Sequence, residues 1–310
     1  MKRMMTVWLL ILWTACSLTM AQAQEKETLH VVSCFAKKDR MLGGLIGMTQ
    51  VKFKRWVKRI NKQTDLVVKT YDCSGNDFGK ENILSKLEEV LAVAKPNDAI
   101  LFYYMGHGFR YEDQTDADQW PQLLAGNSET GWYAEEDYYT MALHAKEIKE
   151  KLDGANVRLT LGIVEACNNT LEGVLYRPNL ASLHPGIDPF KEQKIEAERY
   201  QELYTKARGH IWVGSASPHE LSRLDERYGG LFFYALWKAH EEATTSFAPA
   251  HWEELLASAS QHFKTLTKEL YKEEVHPQIV TDLMGVKAVE IPPQEDAPGE
   301  ENNVISAPDE

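Results

Sequence analysis

The stretch Ala99-Ile100-Leu101-Phe102-Tyr103-Tyr104-Met105-Gly106-His107-Gly108 decides the fold. Seven apolar or aromatic residues in a row are too few for a core helix, and their composition suits a strand covered on both faces. The run stops on Gly-His-Gly, where glycines let the chain turn sharply and approach a ligand closely. A second run, 157–164, has the same character and leads into Glu165-Ala166-Cys167-Asn168-Asn169. Three more, at 29–34, 66–71 and 209–213, read as further buried strands. Between them, apolar residues at helical spacing predict helices over 48–60, 82–94, 139–152, 231–243 and 252–271. Strand and helix alternate, so the class is α/β with a mainly parallel sheet and right-handed crossovers.

In such a sheet, ligands bind beyond the carboxyl ends of the strands, where neighbouring loops converge. If 99–105 and 157–164 are neighbours, His107 and Cys167 emerge at the same edge. A thiol needs a base beside it to serve as a nucleophile near neutral pH. His107 can take that proton and return it to a leaving amine. The amides of Gly108 and Cys167 are candidates for stabilising an oxyanion. Taken singly, a cysteine after an apolar strand suits an inert core and a strand-end histidine suits a structural role. The joint pattern points to catalysis.

With these motifs the chain resembles the caspase-like cysteine peptidases, the superfamily of caspases, metacaspases, legumains, clostripains and gingipains. The resemblance rests on Tyr104-Met105-Gly106-His107-Gly108, on Glu165-Ala166-Cys167, and on a third block. That block is Ser215-Ala216-Ser217-Pro218-His219-Glu220-Leu221-Ser222 followed by Gly229-Gly230-Leu231-Phe232-Phe233. It covers roughly residues 29–243. The pieces 102–104, 106–110 and 121–123 look most like secreted bacterial members. The resemblance implies a three-layer αβα sandwich with a six-stranded, mostly parallel sheet, and a catalytic dyad of His107 and Cys167. Many members carry Asp where Glu165 stands; caspases carry Gln and legumains Glu.

By the same resemblance Glu165 faces the primary specificity pocket, and Ser215 and Ser217 line the groove where an extended peptide pairs with backbone. A buried carboxylate favours a cationic side chain, predicting cleavage after Lys or Arg. A basic residue within 37–40 could neutralise it and admit Asn or Asp instead. Glu165 could also be a structural carboxylate on backbone amides, and the two serines ordinary turn residues. Asp225, with Glu226 and Arg227, reads as a rim charge. Asp113, Asp116 and Asp118 lack the glycine and glutamate of a calcium loop, so no metal or cofactor is expected. Relatives mature by cleavage in the region of 170–208, which here holds Arg177, Lys191, Lys194, Arg199, Lys206 and Arg208. The competing function is an inactive binding or assembly module using the same groove.

Lys2 and Arg3 precede an apolar stretch and then Ala21-Gln22-Ala23, which reads as a signal peptide over 1–23 that exports the chain. The stretch is too short for a membrane span, and Trp13 sits badly for lipid attachment at Cys16. The formal net charge of −12 argues against nucleic acid or anionic lipid as partner and leaves a peptide or protein substrate. The peptidase domain is expected over 24–289, ending in a helical extension. Seven acids and four prolines in 290–310 predict a disordered tail. Export leaves Cys34, Cys73 and Cys167; the first two could pair, and Cys167 is the natural free thiol. Asn168-Asn169-Thr170 is formally a glycosylation sequon, and a glycan there would block the site. The oligomeric state has no signal in the sequence.

Overall fold

The computed structural model describes residues 26–115, 117–128, 133–170, 196–284 and 289–291. The expected signal peptide, most of the 170–208 connection and the tail beyond 291 lie outside the described residues. The chain opens with β1 (Thr28–Phe35), α1 (Gly43–Gln63), β2 (Val67–Asp72), α2 (Lys80–Val93) and β3 (Ala99–Met105). Next come β4 (Gly108–Phe109), β5 (Gln122–Leu124), α3 (Glu135–Thr140), β6 (Ala142–His144), α4 (Ala145–Asp153) and β7 (Leu159–Glu165). Beyond residue 195 follow α5 (Ala197–Gln201), β8 (Gly209–Gly214), β9 (Leu224–Asp225), β10 (Gly229–Gly230), α6 (Leu231–Thr245), α7 (Trp252–Tyr271), β11 (Gln278–Leu283) and β12 (Val289–Ile291).

The central sheet has the order β12-β11-β8-β7-β3-β1-β2. Strands β2, β1, β3, β7 and β8 are parallel and β11 joins antiparallel to β8. These six strands are the sheet that the motifs imply, and the short β12 adds a seventh at the edge of β11. Side chains alternate along β3, so each face meets a different layer. Tyr103 packs on Phe35, Phe53 of α1 and Phe233 of α6. Phe102 and Tyr104 turn the other way, to Trp212 and Phe78. Both layers are dry, which is why β1, β3 and β7 are buried along their whole length.

The expected strand at 66–71 forms one residue later and is not buried: every position of β2 is exposed or half-exposed. It sits at the open edge of the sheet and has a single neighbour. The expected helix over 139–152 divides. Ala142–His144 pairs with β5 in a small sheet of order β4-β5-β6, and the flanking Met141 carbonyl and Ala145 amide bond to Ala125 and Pro121. Tertiary pairing here overrides helical spacing. Conversely α1 starts at Gly43, because the Asp39 carboxylate accepts the Met41 and Leu42 amides at 2.9 and 2.6 Å and so satisfies donors of the entering turn.

On the inner face of α6, His240 is fully buried and its Nε2 meets the Tyr204 hydroxyl at 3.0 Å. Burial, helped by Arg59, pushes its pKa down to about 3. An unfolded chain protonates this histidine below pH ~6.5 while the folded one does not, so acid favours unfolding. Between pH 6.5 and 3 this residue should remove up to about 1.4 kcal/mol of stability per pH unit. Urea midpoints at pH 7 and pH 5 for wild type and His240→Gln check this. The variant should lose most of the difference, and an unchanged pH slope would refute the assignment.

Candidate active site

The two decisive strands are neighbours. In the β3–β7 ladder Met105 stands opposite Glu165, and the Gly106 amide donates to the Glu165 carbonyl oxygen at 3.3 Å. His107 and Cys167 therefore lie two residues past the same register pair, on strands about 4.8 Å apart. Both line one cavity, together with Leu42, Ile46, Met105, Gly106, Glu165, Ser222 and Leu224. The cavity is about 20 Å³, room for about one water. A larger, open depression between α1 and the β1–β2 edge shares none of these residues.

His107 is held from three sides. Its Nε2 donates to Asp39 Oδ2 at 3.0 Å, and the Asp39 side chain is only 1% exposed. The His107 ring meets Tyr133 edge-on, while its carbonyl accepts from the Tyr104 hydroxyl and the Leu124 amide. Burial alone would raise the Asp39 pKa, yet the bonds from His107, Leu42 and Met41 outweigh it and hold the carboxyl below its usual range. An ionised, fixed carboxylate orients the imidazole and stabilises its protonated form, as the third member of a catalytic triad does.

Cys167 is half-buried, and its Sγ donates to the Ser222 carbonyl oxygen at 3.8 Å. Burial pushes the thiol up to about 11, with the Arg223 charge pulling the other way. A resting neutral thiol of this kind depends on a base at the moment of reaction. Gly108 packs directly on the Cys167 backbone. A β-carbon there would come within 2.4 Å of the Cys167 carbonyl oxygen and 3.3 Å of its amide nitrogen. Only glycine permits the approach that brings the two proposed oxyanion donors together.

Glu165 reaches the cavity wall although it is only 2% exposed. Its carboxylate accepts from the Tyr103 hydroxyl at 2.7 Å and from the Phe232 and Phe233 amides at 3.1 and 3.4 Å. Those amides open α6, where a negative charge is favoured. Burial still dominates and raises its pKa to about 7. The pocket position and the amide-bound position are thus one and the same. The alternative of a basic residue within 37–40 neutralising Glu165 finds no support: Lys37, Lys38 and Arg40 are exposed, and the buried member of that loop is Asp39.

Ser215 and Ser217 sit differently from the expected groove lining, being 0% and 4% exposed. Ser215 Oγ accepts the Ala166 amide at 3.2 Å and donates to Ser222 Oγ at 2.7 Å, so it braces the nucleophile loop from behind. Ser217 Oγ donates to the His276 carbonyl oxygen. Asp225 holds the β9–β10 turn through the Arg227 amide and guanidinium. The third block contributes to the cavity through Ser222 and its neighbour Leu224 instead.

Asn168 is fully buried. Its Nδ2 donates to the Gln119 and Ala216 carbonyls, and its Oδ1 accepts from Arg110. Its backbone pairs with Glu220 and His219. No glycan fits on this side chain in the folded chain, and the residue is a staple for the turn after Cys167. Asn168→Ala strands two buried carbonyls and removes one of the bonds of the buried Arg110 guanidinium, which keeps those to Gln114 and Thr115, and should cost about 3 kcal/mol. A chemical-denaturation difference under 1 kcal/mol would contradict this.

Asp39 was not among the expected site residues. Its signal was local: an acid just before an apolar-periodic segment is a helix-entry pattern, and its place after the first strand put it at the catalytic edge. The model of the caspase domain matches residues 51–286. The chain belongs to the caspase-domain family. Like other caspase-domain proteins it thus carries the scaffold of a cysteine peptidase. Metacaspase-1 of Schizosaccharomyces pombe (strain 972) is 27% identical over 167 residues, which are 47% of this chain and 37% of that protein. This caspase-domain chain therefore matches well under half of that protein's length. Caspase-1 from Spodoptera frugiperda is similar in structure with a TM-score of 0.46 and 12% identity, covering 82% of this chain and 85% of that one.

Proposed function

We propose that this caspase-domain chain is an exported cysteine endopeptidase that cleaves after Lys or Arg. The observation that carries the reading is the pairing of His107 and Cys167 at equal distance beyond Met105 and Glu165, in one cavity walled by a carboxylate. With Nε2 committed to Asp39, Nδ1 is the nitrogen left to take the thiol proton. The thiolate then attacks the scissile carbonyl carbon, and the Gly108 and Cys167 amides meet the oxygen as it gains charge. Protonated His107 gives its proton to the departing amine, leaving a thioester that water hydrolyses with His107 as base.

Glu165 supplies the preference. With its pKa raised to about 7 the resting carboxyl is only partly ionised at neutral pH, and no cation is among its bonded groups. A substrate ammonium or guanidinium would draw it fully into the charged form and complete it. Among the described residues of the 170–208 connection, Arg199 lies in α5 and Arg208 is bound through its carbonyl to Met284. Folded backbone resists cutting, which favours Arg177, Lys191 and Lys194, all outside the described residues, as self-processing points. Export by the 1–23 leader predicts a mature protein starting at Gln24, which N-terminal sequencing tests.

A fluorogenic peptide library varied at the residue before the cut tests the specificity. Wild type should prefer Lys and Arg over Asn by tenfold or more, and Glu165→Gln should reduce that preference by about 10- to 100-fold. Preference for Asp with Lys and Arg rejected would overturn the reading.

A further inference from the structure

The two cysteines outside the active site meet at the open edge of the sheet. Strands β1 and β2 pair in parallel register as far as Ser33 opposite Asp72, and the Cys73 amide donates to the Ser33 carbonyl oxygen at 2.8 Å. One residue further along, that register sets Cys34 beside Cys73. Neighbouring strands are about 4.8 Å apart, inside the Cα separation of roughly 4.4–6.8 Å that a disulfide requires. Both residues are fully buried thiols, and their side chains share a hydrogen bond, so both sulfurs point into the same space.

We propose that Cys34 and Cys73 form a disulfide-forming site, closed by exchange with an external low-molecular-weight disulfide. The bond from Cys34 holds the Cys73 thiol below its usual pKa, while burial raises Cys34. Cys73 is accordingly the sulfur that attacks first, once the exposed edge strand β2 opens locally to admit the external disulfide. Its thiolate displaces one thiolate from the external disulfide and forms a mixed disulfide. Cys34 then gives up its proton and attacks the Cys73 sulfur, expelling the second thiolate. Two electrons pass to the external disulfide, which leaves as two thiols.

The link encloses all of α1 and ties the edge strand β2 to β1. It also anchors the root of the loop that carries Asp39, five residues after Cys34. Oxidation would therefore restrain the unfolded chain and steady the segment that orients His107. The inference is independent of the proposed peptidase activity, since it needs neither turnover nor a substrate.

The test uses the full chain, equilibrated natively with oxidised or reduced glutathione, then blocked with iodoacetamide in denaturant and mapped without reduction by mass spectrometry. The oxidised sample should yield a peptide pair joined through Cys34 and Cys73, two hydrogens lighter than the separate peptides, with Cys167 alkylated. Alkylation of both Cys34 and Cys73 at every glutathione ratio would overturn the proposal, as would a link from either to Cys167. Thermal midpoints give a second readout. Wild type should fall by about 10 °C on reduction, whereas the Cys34→Ala/Cys73→Ala double variant should ignore the reductant. An equal midpoint in oxidised and reduced wild type would also count against the site.

Discussion

Cys167→Ala is expected to abolish peptide hydrolysis, lowering kcat by roughly 10⁵-fold or more, because no other group can form the acyl intermediate. The fold should barely notice. The thiol's hydrogen bond is one long contact to the Ser222 carbonyl oxygen at 3.8 Å, so its loss should shift stability by less than about 1 kcal/mol. Initial rates on the best library peptide, with circular dichroism and a denaturation curve on the same sample, separate the two effects. Turnover by a folded Cys167→Ala protein equal to wild type would end the catalytic proposal. A parallel His107→Ala variant should also be inert, since a thiol raised to about 11 is almost wholly protonated at neutral pH without its base.

Asp39→Asn should produce the second-largest loss, about 10³-fold in kcat with a smaller change in KM. The amide keeps the size of the carboxylate but removes the charge that stabilises protonated His107, and it can present its NH₂ to Nε2 and enforce the wrong tautomer. Because the Asp39 pKa is held low, the wild-type carboxylate stays ionised across the neutral range. The variant's loss should therefore persist at every pH from about 5 to 9. Stability should fall modestly, since the Met41 and Leu42 amides can still bond to the amide oxygen. A variant with wild-type kcat would show that Asp39 serves only to start α1.

How far the sequence revealed this depends on how local each cause is. β1, β3, β7 and β8 were legible because both of their faces are covered, and continuous apolar runs report that burial directly. β2 was placed one residue early and read as buried because Leu66, Val67 and Val68 look like core. Only the topology shows that this strand is an edge. The 139–152 segment has helical spacing, and nothing within it reveals that β5 will claim Ala142–His144 as a strand. The meeting of His107 and Cys167 in one cavity was legible because glycine, histidine and cysteine stand at strand ends.

Asp39 was not, since its partner lies 68 residues away and the nearby lysines and arginine drew attention as the charged groups of the loop. Glu165 shows a different limit. Its place two residues before Cys167 was readable, but its engagement with the α6 amides depends on how β10 and α6 return to the sheet. Ser215 and Ser217 were read as groove residues from the family resemblance alone. Their full burial follows from the return of β11 beside β8, which no neighbouring residue announces.

The cavity between His107, Cys167 and Glu165 holds about one water, far less than a lysine or arginine side chain needs. Leu42, on the β1–α1 connection, and Leu224, on β9, are two of the walls that must part for one to enter. Recognition on this site is then an act of opening, driven by the charge that Glu165 lacks. On the proposed specificity, peptides without a basic residue would have nothing to offset that rearrangement and would leave the site shut. If the chain is exported as proposed, it would gain its restraint from the closed door as much as from the lock behind it.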